Sequence, residues 1–188
     1  PGVAELRERF ATFRYSLFRL EALQTYGGSG EEEARAAFQA GQLIPLSPAL
    51  WKWTQMLRQR VGSGCTVQRV HVVTSPLTDY MRFELASYAP NVQAGEDIQI
   101  IPVPTDGGWP RDVPPDDFWL IDSSELWSQR YDQHGTWLGV DLVTDPAQIV
   151  QACRTRDAAL HQALPWADYL RGHHPEIASY LATIVNRA

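Results

Sequence analysis

The sequence predicts an α/β fold, a single twisted mixed sheet with flanking helices, and three observations carry that expectation. Residues 67–73 read Val-Gln-Arg-Val-His-Val-Val, a β-branched run that stops at Ser75-Pro76, and apolar side chains then recur at helical spacing to about Tyr88. Residues 98–103 are a second dense β-branched run; the helix between the two runs makes them parallel neighbours. Asp145-Pro146 supplies an N-cap and a first-turn proline ahead of a long helical stretch.

Taken in order, residues 6–23 mix aromatics with arginines and predict a helix followed by a short strand. Alternation in that strand sends Phe18 and Leu20 to one face and Arg19 and Glu21 to the other. Gly27-Gly28-Ser29-Gly30 breaks the chain, and a helix over 31–40 follows with three acids at its positive end and Gly41 at its stop. Ser47-Pro48 opens a helix over 49–61, and Gly62-Ser63-Gly64 turns into the 67–73 strand. Ser75-Pro76 reads as the same opening signal. Residues 105–115, rich in Pro, Gly and Asp, predict a loop, and 118–121 a strand; 126–131 and 136–143 predict a hairpin turning through Asp132-Gln133-His134-Gly135. The helix after Asp145-Pro146 should reach about Leu164, where Pro165 breaks it. Ile177, Leu181, Ile184 and Val185 give the tail one last amphipathic helix.

With 188 residues, 44% of them hydrophobic, one core is expected rather than two. The division expected is a helical segment over 1–65 packed on an α/β core over 66–166, and a C-terminal helix over 167–188, all one folding domain. A formal charge of -6 without a basic cluster excludes a broad phosphate-binding surface, so no direct nucleic-acid binding is expected. Lys52 stands alone against fifteen arginines, from which no function is read. Cys65 and Cys153 lack zinc or redox spacing and read as free thiols of a reducing cytoplasm. No apolar run reaches the ~20 residues that span a bilayer. The opening Pro-Gly-Val-Ala-Glu-Leu-Arg has no leader pattern, so a cytoplasmic protein without a membrane partner is expected.

The most informative ionisable residue is Glu84. A helix starting at Pro76 would place it between Leu77, Tyr80, Met81 and Tyr88, on the core side, where a carboxylate needs a partner. Arg69 and His71 share one strand face and need acceptors if helices cover it. The expected network is therefore Arg19, Glu21, Arg69, His71, Arg82 and Glu84, with Arg19 or Arg69 paired to Glu84. It reads first as a structural ion pair, and second as arginines holding a ligand carboxylate or phosphate. His71 with Asp79 could form a base and its orienter, but no nucleophile elbow accompanies them and no catalytic residue is assigned.

Five histidines form no metal set: His173-His174 reads as an exposed loop end, and His134 and His161 as solvated, so no metal or cofactor is expected. Asp116-Asp117 and Asp122 bracket a strand and read as turn and capping residues rather than a Mg²⁺ pair. Of seven tryptophans, Trp109, Trp127 and Trp137 are candidates for a partner surface, and Trp51, Trp119 and Trp166 for the core.

The set Phe18-Arg19-Leu20-Glu21, Arg69-Val70-His71-Val72-Val73, Pro76-Leu77-Thr78-Asp79-Tyr80-Met81-Arg82-Phe83-Glu84, Ala94-Gly95-Glu96-Asp97-Ile98, Asp117-Phe118-Trp119-Leu120-Ile121-Asp122 and Ala163-Leu164-Pro165-Trp166 resembles a bacterial domain family of unknown function. The resemblance runs over about residues 10–170. It implies a fold more than an activity, in small cytosolic proteins encoded near helix-turn-helix regulators. More remotely, the order of elements from Val67 to Trp166 looks like a half-domain of phospholipase D-like sensor modules. Active members of that superfamily carry His-x-Lys; here Val73 stands two residues after His71, and Pro110-Arg111-Asp112 precedes Phe118. Without the nucleophilic histidine and phosphate-holding lysine, covalent catalysis and charge stabilisation are both lost.

The expected function is thus a non-catalytic regulatory or binding protein acting through a protein partner, a helix-turn-helix regulator fitting best, with the acidic charge suiting a basic surface. One alternative is a sensor of an anionic metabolite with a pocket around Arg69, His71, Glu84 and Trp119. Another is a phosphodiesterase or transferase of altered chemistry. A homo-oligomer is compatible with each.

Overall fold

The computed structural model describes residues 2–27 and 30–185, without the side chains of residues 184 and 185. Gly28 and Ser29 of the glycine break, and the side chains of Ile184 and Val185 in the tail helix, lie outside the described set. The elements run α1 (Val3–Thr12), β1 (Ser16–Glu21), α2 (Glu32–Gln39), α3 (Pro48–Gly62), β2 (Thr66–Thr74), α4 (Asp79–Ser87), α5 (Ala89–Gln93), β3 (Asp97–Val103), β4 (Phe118–Ile121), β5 (Glu125–Tyr131), β6 (Trp137–Val143), α6 (Pro146–Gln162), β7 (Leu164–Pro165), α7 (Trp166–His173) and α8 (Pro175–Val185). Among the described residues no helix is long and apolar enough to cross a membrane.

The strands form one seven-stranded mixed sheet in the order β6-β5-β4-β1-β2-β3-β7. β1, β2 and β3 are parallel, joined by helical crossovers, while β4 and then β5 and β6 return antiparallel on the other side of β1. The chain order therefore reverses at β1, a strand contributed by the 1–65 segment and seated in the middle of the sheet.

Alternation decides what each face carries. Phe18 and Leu20 of β1, Val70 and Val72 of β2, Ile101 and Val103 of β3 and Phe118 and Leu120 of β4 form one apolar face, packed against Ala152 and Ala159 of α6. The opposite face is divided. Leu17, Val67, Trp119, Ile121 and Trp127 pack under α1 and α3, while Val73, Ile98 and Ile100 pack under α4, α7 and α8. Between these two apolar clusters run Arg19, Glu21, Arg69 and His71, with Arg19 beside Arg69 and Glu21 beside His71 in the β1–β2 register.

Helix starts follow the cap chemistry, with one relocation. Ser47 Oγ accepts from the Leu50 amide and Asp145 from the Ala147 amide, as their sequences predict. Ser75-Pro76, by contrast, is a cis peptide outside any helix, and the Ser75 amide extends the sheet by donating to the Val103 carbonyl. Thr78 takes over as the cap of α4: its Oγ1 accepts from the Met81 amide at 3.0 Å and donates to the Gln24 carbonyl at 2.7 Å. Thr78→Ala should therefore lower stability by about 1 kcal/mol, read from urea unfolding, and Thr78→Ser should restore most of it.

Two further elements and one side chain differ from expectation. α6 stops at Gln162, and Leu164-Pro165 adds an edge strand against Gln99 and Ile100 of β3, a position where the missing proline amide costs no ladder bond. α7 follows at once, so His173 ends a helix, stacked on Tyr169, rather than a loop. Trp51, expected in the core, is 52% exposed, because α3 buries the stripe through Thr54 and Leu57. Trp119 and Trp166 are buried as expected.

Candidate functional site

Glu21, 1% exposed, is the hub of the polar stripe. Its Oε1 lies 2.7 Å from Arg19 Nη2 and its Oε2 2.9 Å from Arg69 Nη1. Arg69 Nε reaches on to Glu96 Oε1 at 2.8 Å, and Asn91 Nδ2 donates to the other Glu96 oxygen at 2.7 Å. Both guanidiniums lie over aromatic rings, Arg19 over Trp119 and Arg69 over Tyr88. Burial alone would raise the Glu21 carboxyl, but Arg19 and Arg69 outweigh it and hold it near 2. Burial would likewise lower Arg69, and Glu96 with Glu21 reverses this, pushing it well above the ordinary arginine value.

Glu96 reaches Arg69 because Gly95 adopts φ +101 directly after α5, where a side chain would also press on Val61, and the Glu96 amide closes onto the Asn91 carbonyl. His71 extends the network as a neutral ring. Its Nε2 lies 2.9 Å from the Leu23 carbonyl, which can only accept, so Nε2 carries the proton and Nδ1 accepts from the Tyr88 hydroxyl at 2.6 Å. Burial keeps the ring below the usual histidine range. Asp117 anchors the next shell: it accepts from the Ala22 amide, from Tyr26 Oη at 2.6 Å and from Tyr131 Oη at 3.2 Å, and burial and nearby Glu21 raise its carboxyl.

Glu84 is 8% exposed, as the helical pattern predicts, but the arginine expected beside it is elsewhere. Both arginines are consumed by Glu21 and Glu96, carboxylates that lie directly along or beside the strands. Glu84 instead accepts at Oε2 from Tyr80 Oη and Ser87 Oγ, each at 3.3 Å, and among the described residues its Oε1 has no hydrogen-bond partner. Burial first, then the carboxylates of Glu21 and Glu31, push it up to about 7. Arg82 falls outside the network altogether: two positions from Glu84 is about 200° around the helix, and Arg82 pairs with Glu176 at the surface.

The tryptophans divide differently from expectation. Trp127 is wholly buried, packed beside Trp119 across β4 and β5, and offers nothing to a partner. Trp109 and Trp137 are 39% and 42% exposed. Asp122 behaves as a cap, its carboxylate accepting from the amides of Arg14, Tyr15 and Ser16.

Above the stripe is a cavity of about 740 Å³, roofed by α2, α3 and the segment between them and floored by Arg19, Arg69, Trp119 and Tyr88. Phe10, Ile44, Leu50, Trp53 and Phe83 supply apolar walls, and Glu84 with Glu31 lies at one side. Of the sequence-proposed pocket, Arg69, Glu84 and Trp119 do line this space, whereas His71 is sealed beneath it. Sequence reasoning missed Glu96, Asn91, Asp117 and Tyr88 as members of the network. Glu96 and Tyr88 carried a usable signal, an acid directly before a strand and a tyrosine on the Glu84 face; Asn91 and Asp117 did not.

Fold and site together define a mixed-sheet α/β domain whose central strands carry a closed ion network beneath a cavity. The chain belongs to the family described as domain of unknown function DUF6879, whose model matches residues 4–171. No curated protein matches the chain.

Proposed function

We propose that this domain is a non-catalytic regulatory module of the cytoplasm that binds a small molecule in the 740 Å³ cavity and passes its bound state to a protein partner. The observation that carries the reading is the cavity itself: it opens over the middle of β1, β2 and β4, where the polar stripe parts the two apolar clusters of that face, and its size suits a metabolite. A helix-turn-helix regulator remains the proposed partner on the resemblance in sequence, and the net charge of -6 suits a basic face on it. The likeness to a phospholipase D-like half-domain rests on the order of elements from Val67 to Trp166 alone. The reading as an altered phosphodiesterase draws little support from His71, its one candidate nucleophile, because both ring nitrogens are engaged and the ring is wholly buried.

The test is a thermal-shift screen of a metabolite library against the wild type and Ala34→Trp, which fills the cavity from α2. Compounds that raise Tm only in the wild type support the reading. A screen in which every shift is equal in the two proteins contradicts it.

A further inference from the structure

A second cavity of about 360 Å³ shares Arg19, Glu31 and Glu84 with the larger one and continues toward the β5–β6 hairpin, where Tyr26, Tyr80, Tyr131 and Trp137 line it. The hairpin turn is held against this wall: Gly27 donates its amide to the Gly135 carbonyl, and at Gly135, φ +76, any side chain would strike the Thr25 carbonyl. The wall carries one arginine against three carboxylates, Glu21, Glu31 and Glu84. That arginine, Arg19, is already bound to Glu21.

Glu84 and Glu31 thus make no salt bridge among the described residues; Arg35 stands over the Tyr80 ring, but the two carboxylates are joined only through the Tyr80 hydroxyl, which lies 3.3 Å from one and 3.4 Å from the other. Glu84 is more than nine-tenths buried, and its unpartnered Oε1 belongs to a side chain that lines both cavities. Buried carboxylate charge without a counterion is unfavourable until a cation arrives, and tyrosine and tryptophan faces attract cations as well. An anion meets the reverse situation. Arg69 spends Nε and Nη1 on Glu96 and Glu21, and Arg19 spends Nη2 on Glu21, so the charge of both guanidiniums is already matched.

Resting on the ligand-binding reading above, we propose that the small molecule is an organic cation, a protonated amine on an apolar body. Its nitrogen sits against Glu84 and Glu31 among the rings of Tyr26, Tyr80 and Trp137, and its body occupies the space beside Phe10, Trp53 and Phe83. The anionic ligand expected from the two arginines is disfavoured because Glu21 and Glu96 neutralise them.

The test titrates the ¹⁵N-labelled protein at pH 8 with two matched pairs, phenethylamine against 3-phenylpropionate and tryptamine against indole-3-propionate. The amines should shift amides around Glu84, Tyr80 and Trp137 and bind at least tenfold more tightly than the acids. Glu84→Gln, which keeps the hydrogen bonds from Tyr80 and Ser87, should weaken amine binding about tenfold without lowering Tm, and Glu31→Gln should weaken it less. Should the acids bind in the cavity as tightly as the amines, the cation assignment fails while the ligand-binding reading stands. Should neither pair shift any residue lining the two cavities at 10 mM, on the order of the weakest affinity expected of such small probes, both fail.

Discussion

Arg69→Ala should cost the fold about 3–5 kcal/mol, because it strands two buried carboxylates at once. Arg69 is 5% exposed and bridges Glu21 through Nη1 and Glu96 through Nε. Removing the guanidinium leaves Glu96 with only the Asn91 amide, and Glu21 with Arg19 and the longer bond from the Tyr88 hydroxyl. It also removes the cation stacked on Tyr88, whose hydroxyl serves His71. Urea unfolding at pH 7 reads the loss directly. A double-mutant cycle with Glu21→Gln should show coupling of more than about 1 kcal/mol, since the two groups share the penalty. A loss below about 1 kcal/mol for Arg69→Ala would mean that the stripe is wetter than its burial indicates.

Glu84→Gln should act in the opposite direction and raise stability by about 3 kcal/mol at pH 8. The native carboxyl is held up at about 7, against about 4.5 in an unfolded chain. The folded protein therefore binds this proton more tightly than the unfolded one, and the contribution of Glu84 to stability falls as pH rises from about 4.5 through about 7 and then levels off. Glutamine is neutral throughout and can still accept from Tyr80 and Ser87. The gap between variant and wild type should thus be wide at pH 8 and close toward pH 5. Glu21 works in the other sense: its folded value near 2 gives stability that is present above about 4.5 and lost as pH falls toward 2. Glu84→Gln should remove the slope between about 4.5 and about 7 that this group contributes and leave that of Glu21 in place.

Much of the fold was legible because the decisive signals are local. The period-two runs of β1, β2 and β3, the caps at Ser47 and Asp145, and the turn through Asp132 to Gly135 each depend on neighbours in sequence. Burial of Glu84 followed from helical spacing in the same way. Failures came where two local signals compete or where partners are distant. Thr78 and Ser75 are both plausible caps by composition, and only the return of the Ser75 amide to β3 decides between them. The arginines could have bonded Glu84 or Glu21, and strand register brings Glu21 beside both. Glu96 is 27 residues from Arg69 along the chain, and only the parallel β2–β3 pairing makes them neighbours. Trp127 sits on a hairpin strand that is covered on both faces, at Leu126 and at Trp127, so its burial depended on α1 and α3 closing over the second face, which no local pattern marks.

The defining feature of the domain is a charge pattern, a network closed between Glu21, Arg19, Arg69 and Glu96, with Glu84 left over at the cavity wall. The most direct measurement is a carboxyl-carbon NMR titration of glutamate-labelled protein, assigned with Glu84→Gln and Glu21→Gln. Glu84 should be half-protonated near pH 7 while Glu21 stays ionised down to about pH 2. A Glu84 that titrates near 4.5 with the surface glutamates would contradict the pattern.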